Sequence, residues 1–248
     1  MAGEYVRWLA RDVKPVEKKE LTKEEKRRNW WDYHKWHVVI AIVCLILAAD
    51  LAFDVVRNAR NEPDYTIAYV GVTALPDELV VRVEEAIATR GEDLNGNGKV
   101  QVELVQYQLL DETADISPAL QEENAERAYS ASMLLTLNIE TLESMIYLLE
   151  DPERFSSDYP ILCHTDGTLP GEDSDEPMYY LWQDCPVLAG LELGTFEIPG
   201  IQGAIEGDCQ KAMSGIAVAR RGIWDDEPGE QTYGAIRLWE ILTEGAAK

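Results

Sequence analysis

The chain has 248 residues, with 22 Lys and Arg against 46 Asp and Glu, a net charge of −24. The imbalance is local: residues 1–60 carry 12 basic and 9 acidic side chains, whereas residues 61–248 carry 10 and 37, net −27. So acidic a body excludes a nucleic-acid partner and repels anionic lipid, yet its long apolar periodic segments set it apart from a disordered acidic tail.

In chain order, "EYVRWLARDV" (residues 4–13) reads as a loosely ordered tail. Thr22 with Glu25 three residues on is a capping box, so a helix is expected from about Lys23. It runs into "NWWDYHKWHVVIAIVCLILAADLAFD" (residues 29–54), whose uncharged core is Val38 to Ala49. Trp30, Trp31, Tyr33 and Trp36 form an aromatic collar of the kind that settles at the headgroup level. With Leu51, Phe53, Val55 and Val56 continuing past Asp50, a transmembrane helix over 36–56 is long enough to span. A signal peptide also has a short apolar core after a basic segment, but here the preceding segment is long and no small-x-small cleavage site follows. A buried soluble helix does not usually carry a collar and a basic flank at one end. Residues 1–36 hold ten Lys and Arg, and only Arg57 and Arg60 follow closely behind the span. The positive-inside rule then makes 1–35 a cytoplasmic basic segment and 57–64 a linker. Residues 65–248 become an extracytoplasmic acidic α/β domain of a single-pass protein of the cell membrane.

The outer part alternates strand and helix patterns. "YTIAYVG" (65–71) is a buried strand, and "LPDELVVRVEEAIATRG" is a helix with Pro76 in its first turn and a Leu79, Val80, Val83, Ile87 stripe. "KVQVELVQYQL" (99–109) is a second strand, and the next helix starts at the Ser117 cap with Pro118 in first position. "SMIYLLE" (144–150) is a third strand, giving β-α-β-α-β, the pattern of a parallel sheet covered by helices. Asp151 to about Lys211 reads as irregular, with "GEDSDEP" a solvated loop and the aromatics of "PMYYLW" local core. A fourth strand, Met213–Gly222, and a last helix, "YGAIRLWEILTEG", close the domain.

The segments "LTKEEKRRNWWDYHKWHVVI", "PDYTIAYVG", "DLNGNGKVQVE", "MIYLLEDPERF", "IAVARRGIW" and "LWEILTEGA" together resemble a family of uncharacterised single-pass membrane proteins from Gram-positive anaerobes. The strand–helix alternation just after an anchor is also similar to one lobe of a type II extracytoplasmic solute-binding protein. That likeness implies a solute-binding fold and carries no ligand with it.

"DLNGNGKVQVE" is the sharpest local signal. Asp93, Asn95 and Asn97 are alternate oxygen donors, with Gly98 as the turn residue and the Lys99 carbonyl next, matching the first positions of a calcium loop. The twelfth position, where a bidentate Glu belongs, is Leu104, and Glu103 stands one place early. The plainer reading is a helix-to-strand turn using Asn and Gly for positive φ. Arg220 and Arg221 end a strand in a domain poor in cations. They are ligand-binding candidates for an anion, against ordinary pairing with surface carboxylates. Cys163, Cys185 and Cys209 allow one disulfide with a thiol left over; with His164 and Asp166 they can be written as a zinc set, but without Cys-x-x-Cys or His-x-x-x-His spacing.

No Gly-x-Ser-x-Gly, phosphate loop or His-Glu-x-x-His occurs, and His164 is the only outer histidine. The expected function is a membrane-tethered extracytoplasmic binding or interaction domain for a small-molecule or protein ligand, with calcium as the one cofactor candidate. The alternatives are an extracytoplasmic hydrolase centred on His164 and a structural scaffold for another membrane protein.

Overall fold

The structure, a computed structural model, describes residues 22–110, 118–171, 176–200, 203–224 and 229–247. The expected N-terminal tail and the Ser117 cap lie outside them, as does most of the "GEDSDEP" loop. The chain divides into two units, Met1–Arg57 and Asn58–Lys248.

Helix α1 (Lys23–Asn61) starts as the capping box dictates. The Thr22 hydroxyl accepts the Glu25 N–H (3.4 Å), and the Glu25 carboxylate accepts the Thr22 N–H (2.9 Å). Its Lys23–Leu51 part is long and apolar enough to cross a membrane, as an anchor or a signal sequence would. Ile40, Leu45, Ile46 and Leu47 are exposed. Trp30, Trp31, Tyr33 and Trp36 are exposed on the same helix before this run.

The second unit is mixed α/β. Its elements are β1 (Tyr65–Gly71), α2 (Asp77–Ala88), β2 (Val102–Gln108), α3 (Pro118–Glu140), β3 (Ser144–Leu149), α4 (Pro152–Asp158) and β4 (Tyr179–Leu181). After these come α5 (Pro186–Ala189), β5 (Thr195–Gly200), β6 (Gly203–Asp208), α6 (Cys209–Met213), β7 (Ala217–Arg220) and α7 (Glu230–Leu242). Five strands form one sheet in the order β2-β1-β3-β7-β4. β1 pairs in parallel with β2 and β3, whereas β7 runs antiparallel to both β3 and β4. The sheet is therefore mixed: the three strands of the parallel pattern read from the sequence run parallel, and β7 runs against them.

Alternation along the strands sorts side chains into two layers. Tyr65, Ile67 and Tyr69 of β1 pack with Leu79, Val83 and Ile87 of α2 and with Leu238, Trp239 and Leu242 of α7. Ala68 and Val70 face the other way, with Tyr147, Leu149, Leu135 of α3 and Phe155 of α4. β3 is buried at every position, as the uninterrupted apolar run of a central strand requires.

The region read as irregular is largely ordered. Asp151 caps α4 by accepting the Arg154 N–H (3.0 Å), and β5 and β6 form a separate hairpin. Trp182 is fully buried, its indole N–H donating to Gln210, which in turn donates to the carbonyls of Leu188 and Leu191. The fourth strand is shorter than expected, because α6 ends at Met213 under the Asp208 cap and a turn intervenes before Ala217.

Candidate functional site

In open α/β sheets, ligands settle at the carboxyl ends of the strands where the strand order reverses. Here β2 lies on one side of β1 and β3 on the other, so that point is the crevice between the ends of β1 and β3. It is filled by the chain itself. Glu150, the residue after β3, accepts the N–H groups of Val72 (2.7 Å) and Thr73 (3.2 Å) on one oxygen. Gly71 permits the approach: a Cβ there would stand 2.5 Å from the Glu150 oxygen and 2.6 Å from the Tyr69 hydroxyl. That hydroxyl donates to the Thr73 carbonyl (2.9 Å), and burial, with the Glu150 charge second, raises Tyr69 far above the ordinary tyrosine range.

The opposite, amino-terminal edge carries an open hollow of about 780 Å³. Buried Tyr65, Met145 and Ala235 contribute its apolar lining, and its carboxylates are Glu62, Asp64, Glu103, Glu143 and Glu230. No Lys, Arg, His or Cys lines it among the described residues. The start of α7 borders the hollow too, with Glu230 in its first turn offsetting that positive helix end. Leu142, also on the wall, is the one non-glycine residue with positive φ (57°) among the described residues. The cause is local. Glu143 N–H bonds the Asn138 carbonyl and Leu142 N–H the Ile139 carbonyl, a Schellman end to α3 that puts Leu142 where glycine is usual.

The Asp93 loop sits between α2 and β2. Asp93 accepts N–H groups from Gly96 (2.7 Å), Asn97 (3.1 Å) and Gly98 (2.7 Å). Asn95 accepts from Asn97 (3.0 Å), and Asn97 from Lys99 (2.8 Å). Gly96 and Gly98 take φ of 70° and 86°, the turn geometry the Asn–Gly alternation calls for. Glu103 is elsewhere: it lines the acidic hollow, on the β2 face of Val105 and Tyr107 and opposite to Leu104. A displacement of one residue along a strand reverses the face, so standing one place early separates it from the position of a twelfth ligand.

Arg220 and Arg221 go to different layers. The Arg220 guanidinium lies 5.1 Å from the ring centre of Trp239, which stacks on Tyr180, and it also contacts Gly167. The Arg221 charge is felt by the Tyr147 hydroxyl in the other layer, and its N–H holds the Met145 carbonyl (2.9 Å). The two guanidinium groups are not gathered on one site.

Cys163, Cys185 and Cys209 are all buried free thiols, so of the two readings the sequence left open, a disulfide or plain core cysteines, the structure has the second. Burial, with Asp184 second, pushes the Cys185 thiol up to about 11, and burial raises Cys209 as well. His164 Nδ1 donates to the Glu176 carbonyl (2.7 Å), while Asp166 accepts from the Thr168 N–H and hydroxyl. No group of three or more His, Cys, Asp or Glu fit to hold a metal occurs among the described residues, which removes the zinc set.

Neither Asp64 nor Glu150 stands out in the sequence. Asp64 falls in the linker expected over 57–64, yet it is 4% exposed and its carboxylate accepts three backbone N–H groups, from Leu94 (2.8 Å), Asn95 (3.0 Å) and Gln101 (2.8 Å). Each partner is at least thirty residues away, so no local pattern announces it. No family model, no curated protein and no solved structure matches the chain.

Proposed function

We propose that the chain is a membrane-tethered binding or interaction domain held outside the cell membrane, taking a positively charged ligand in the acidic hollow at the amino ends of the strands. The observation that carries this reading is the hollow itself: about 780 Å³, within the range of small-molecule sites, with the carboxylates of Glu62, Glu103, Glu143 and Glu230 and no cation among its described wall residues, while the Asp64 carboxylate is held by backbone N–H groups. Carboxylates recognise ammonium and guanidinium groups by charge-assisted hydrogen bonds. Binding is preferred over hydrolysis because no nucleophile–base pair lines the hollow among the described residues, and His164 and Asp166 are each engaged with nearby loop groups. The tether is α1, with the N-terminus inside by the Lys and Arg bias.

The test is a titration of the full chain in nanodiscs with spermidine and with a short lysine peptide, at matched ionic strength. Saturable binding that weakens about tenfold in Glu103→Gln with Glu143→Gln is expected, since each substitution removes one charged contact. Binding that the double variant leaves unchanged refutes the hollow. Protease shaving of intact cells reads the tether separately: the outer domain should be cut and the N-terminal segment spared.

Calcium at Asp93, Asn95, Asn97 and the Lys99 carbonyl is a second reading, favoured by the spacing of the oxygen donors and by the two glycines that close the turn. With a Kd on the order of 0.1–1 mM, millimolar calcium should raise the melting temperature of wild type and not of Asp93→Ala. Equal responses would assign the shift to general screening of the acidic surface.

A further inference from the structure

Helix α3 is apolar on two sides, and only one of them is used. Ala128, Leu135 and Asn138 are buried toward the sheet. Tyr129, Met133 and Leu137, spaced i, i+4 and i+8, are 69%, 59% and 53% exposed, with Leu134 beside them at 59%. Four large apolar side chains on one exposed helix face form the kind of patch that marks an interaction site. The patch continues into a groove of about 590 Å³ between α3 and β2, with Tyr107 and Leu134 among its lining.

We infer that this face of α3 docks a partner protein through an amphipathic helix whose apolar stripe is flanked by Lys or Arg. The stripe spacing selects a helix, whose own i, i+4 ridge fits such a row. Charge selects its rim. α3 carries Glu122, Glu123, Glu126 and Glu140 against one cation, Arg127, which is paired to Glu123. A second copy of this chain is disfavoured by the same charges, because antiparallel pairing of two α3 helices sets the Glu122–Glu126 end against Glu140 of the other. Anionic lipid is repelled for the same reason. Addition of a strand at β2 is also hindered: Glu84 already accepts the Leu104 N–H (2.8 Å), taking a donor that an incoming strand would need.

The experiment uses the full chain in zwitterionic nanodiscs and two synthetic peptides of identical leucine–lysine composition. In one, the leucines form a single helical face; in the other they are scattered around the helix. The facially amphipathic peptide should bind about tenfold or more tightly than its isomer and protect residues 126–140 from hydrogen exchange. Met133→Glu with Leu137→Glu should abolish that preference without lowering the melting temperature. If this variant fails to fold, Met133→Gln with Leu137→Gln replaces it. Equal affinity for the two peptides, protection outside α3, or unchanged binding by the variant overturns the inference. So does a concentration-dependent dimer that the variant abolishes, which would make the occupant a second copy. Protection of α3 by the nanodisc without peptide would make it lipid.

Discussion

Removing the Asp64 carboxylate tests the view that one buried acid organises the helix-to-strand connection around residues 93–101. Asp64 is almost fully buried, one oxygen accepting the Leu94 and Asn95 N–H groups and the other that of Gln101. Hydrogen bonds to a charged group contribute about 1.5–3 kcal/mol each, so three of them sum to roughly 4.5–9 kcal/mol. They share one acceptor and are not additive; losing one side of a buried charged network costs about 3–5 kcal/mol, which sets the expectation for Asp64→Ala. Asp64→Asn keeps an oxygen for Leu94 and Asn95 but turns an amide N–H toward the Gln101 donor, for about 2–3 kcal/mol. The assay is urea unfolding of the full chain in nanodiscs, with hydrogen exchange followed at Leu94, Asn95 and Gln101. At 1.4 kcal/mol per tenfold, the alanine variant should exchange faster at these amides by about a hundredfold or more. A loss below about 1 kcal/mol, with Gln101 exchange unchanged, would refute the reasoning, since it would mean the three donors find water at no cost.

Glu150→Ala should destabilise by about 1 kcal/mol and Glu150→Gln by less, because the side chain is exposed and water replaces part of its bonds to Val72 and Thr73; equal unfolding midpoints for all three proteins would contradict the bridge. At Leu142, held at φ 57°, Gly should be more stable than Ala by about 1 kcal/mol, both variants lacking the leucine side chain but only Gly adopting that backbone freely; identical midpoints would argue against the left-handed cap. Stability should fall in alkali. Cys185 is raised from 9.0 to about 11 and Tyr107 from 10.0 to about 12, chiefly by burial, so the neutral forms favour the fold. Their contribution is complete below the unfolded values and is lost as pH rises through the folded ones, from about 9 to 12. A urea midpoint constant from pH 8 to pH 12 would exclude this.

The apolar run of α1, the i, i+4 stripes of α2 and α7 and the apolar strands β1 and β3 were legible in the sequence, because each is written within one element and its period is local. So was the turn at Asp93, whose oxygens bond donors three to five residues away. Short elements were lost. α4 and α6 run seven and five residues, too few turns for a helical period to stand out, and in the β5–β6 hairpin Pro199 argues against a strand where one forms. The tertiary structure alone decided that β7 enters antiparallel beside β3, that Arg220 meets Trp239 while Arg221 lies near Tyr147, and that Glu103 faces the hollow instead of the loop. It also decided that Glu150 fills the crevice at the carboxyl ends and that the carboxylates of Glu62, Glu103, Glu143 and Glu230 meet at the amino ends. These are pairings between residues far apart in the chain, set by sheet order and by the alternation of faces, and no window of sequence contains both partners.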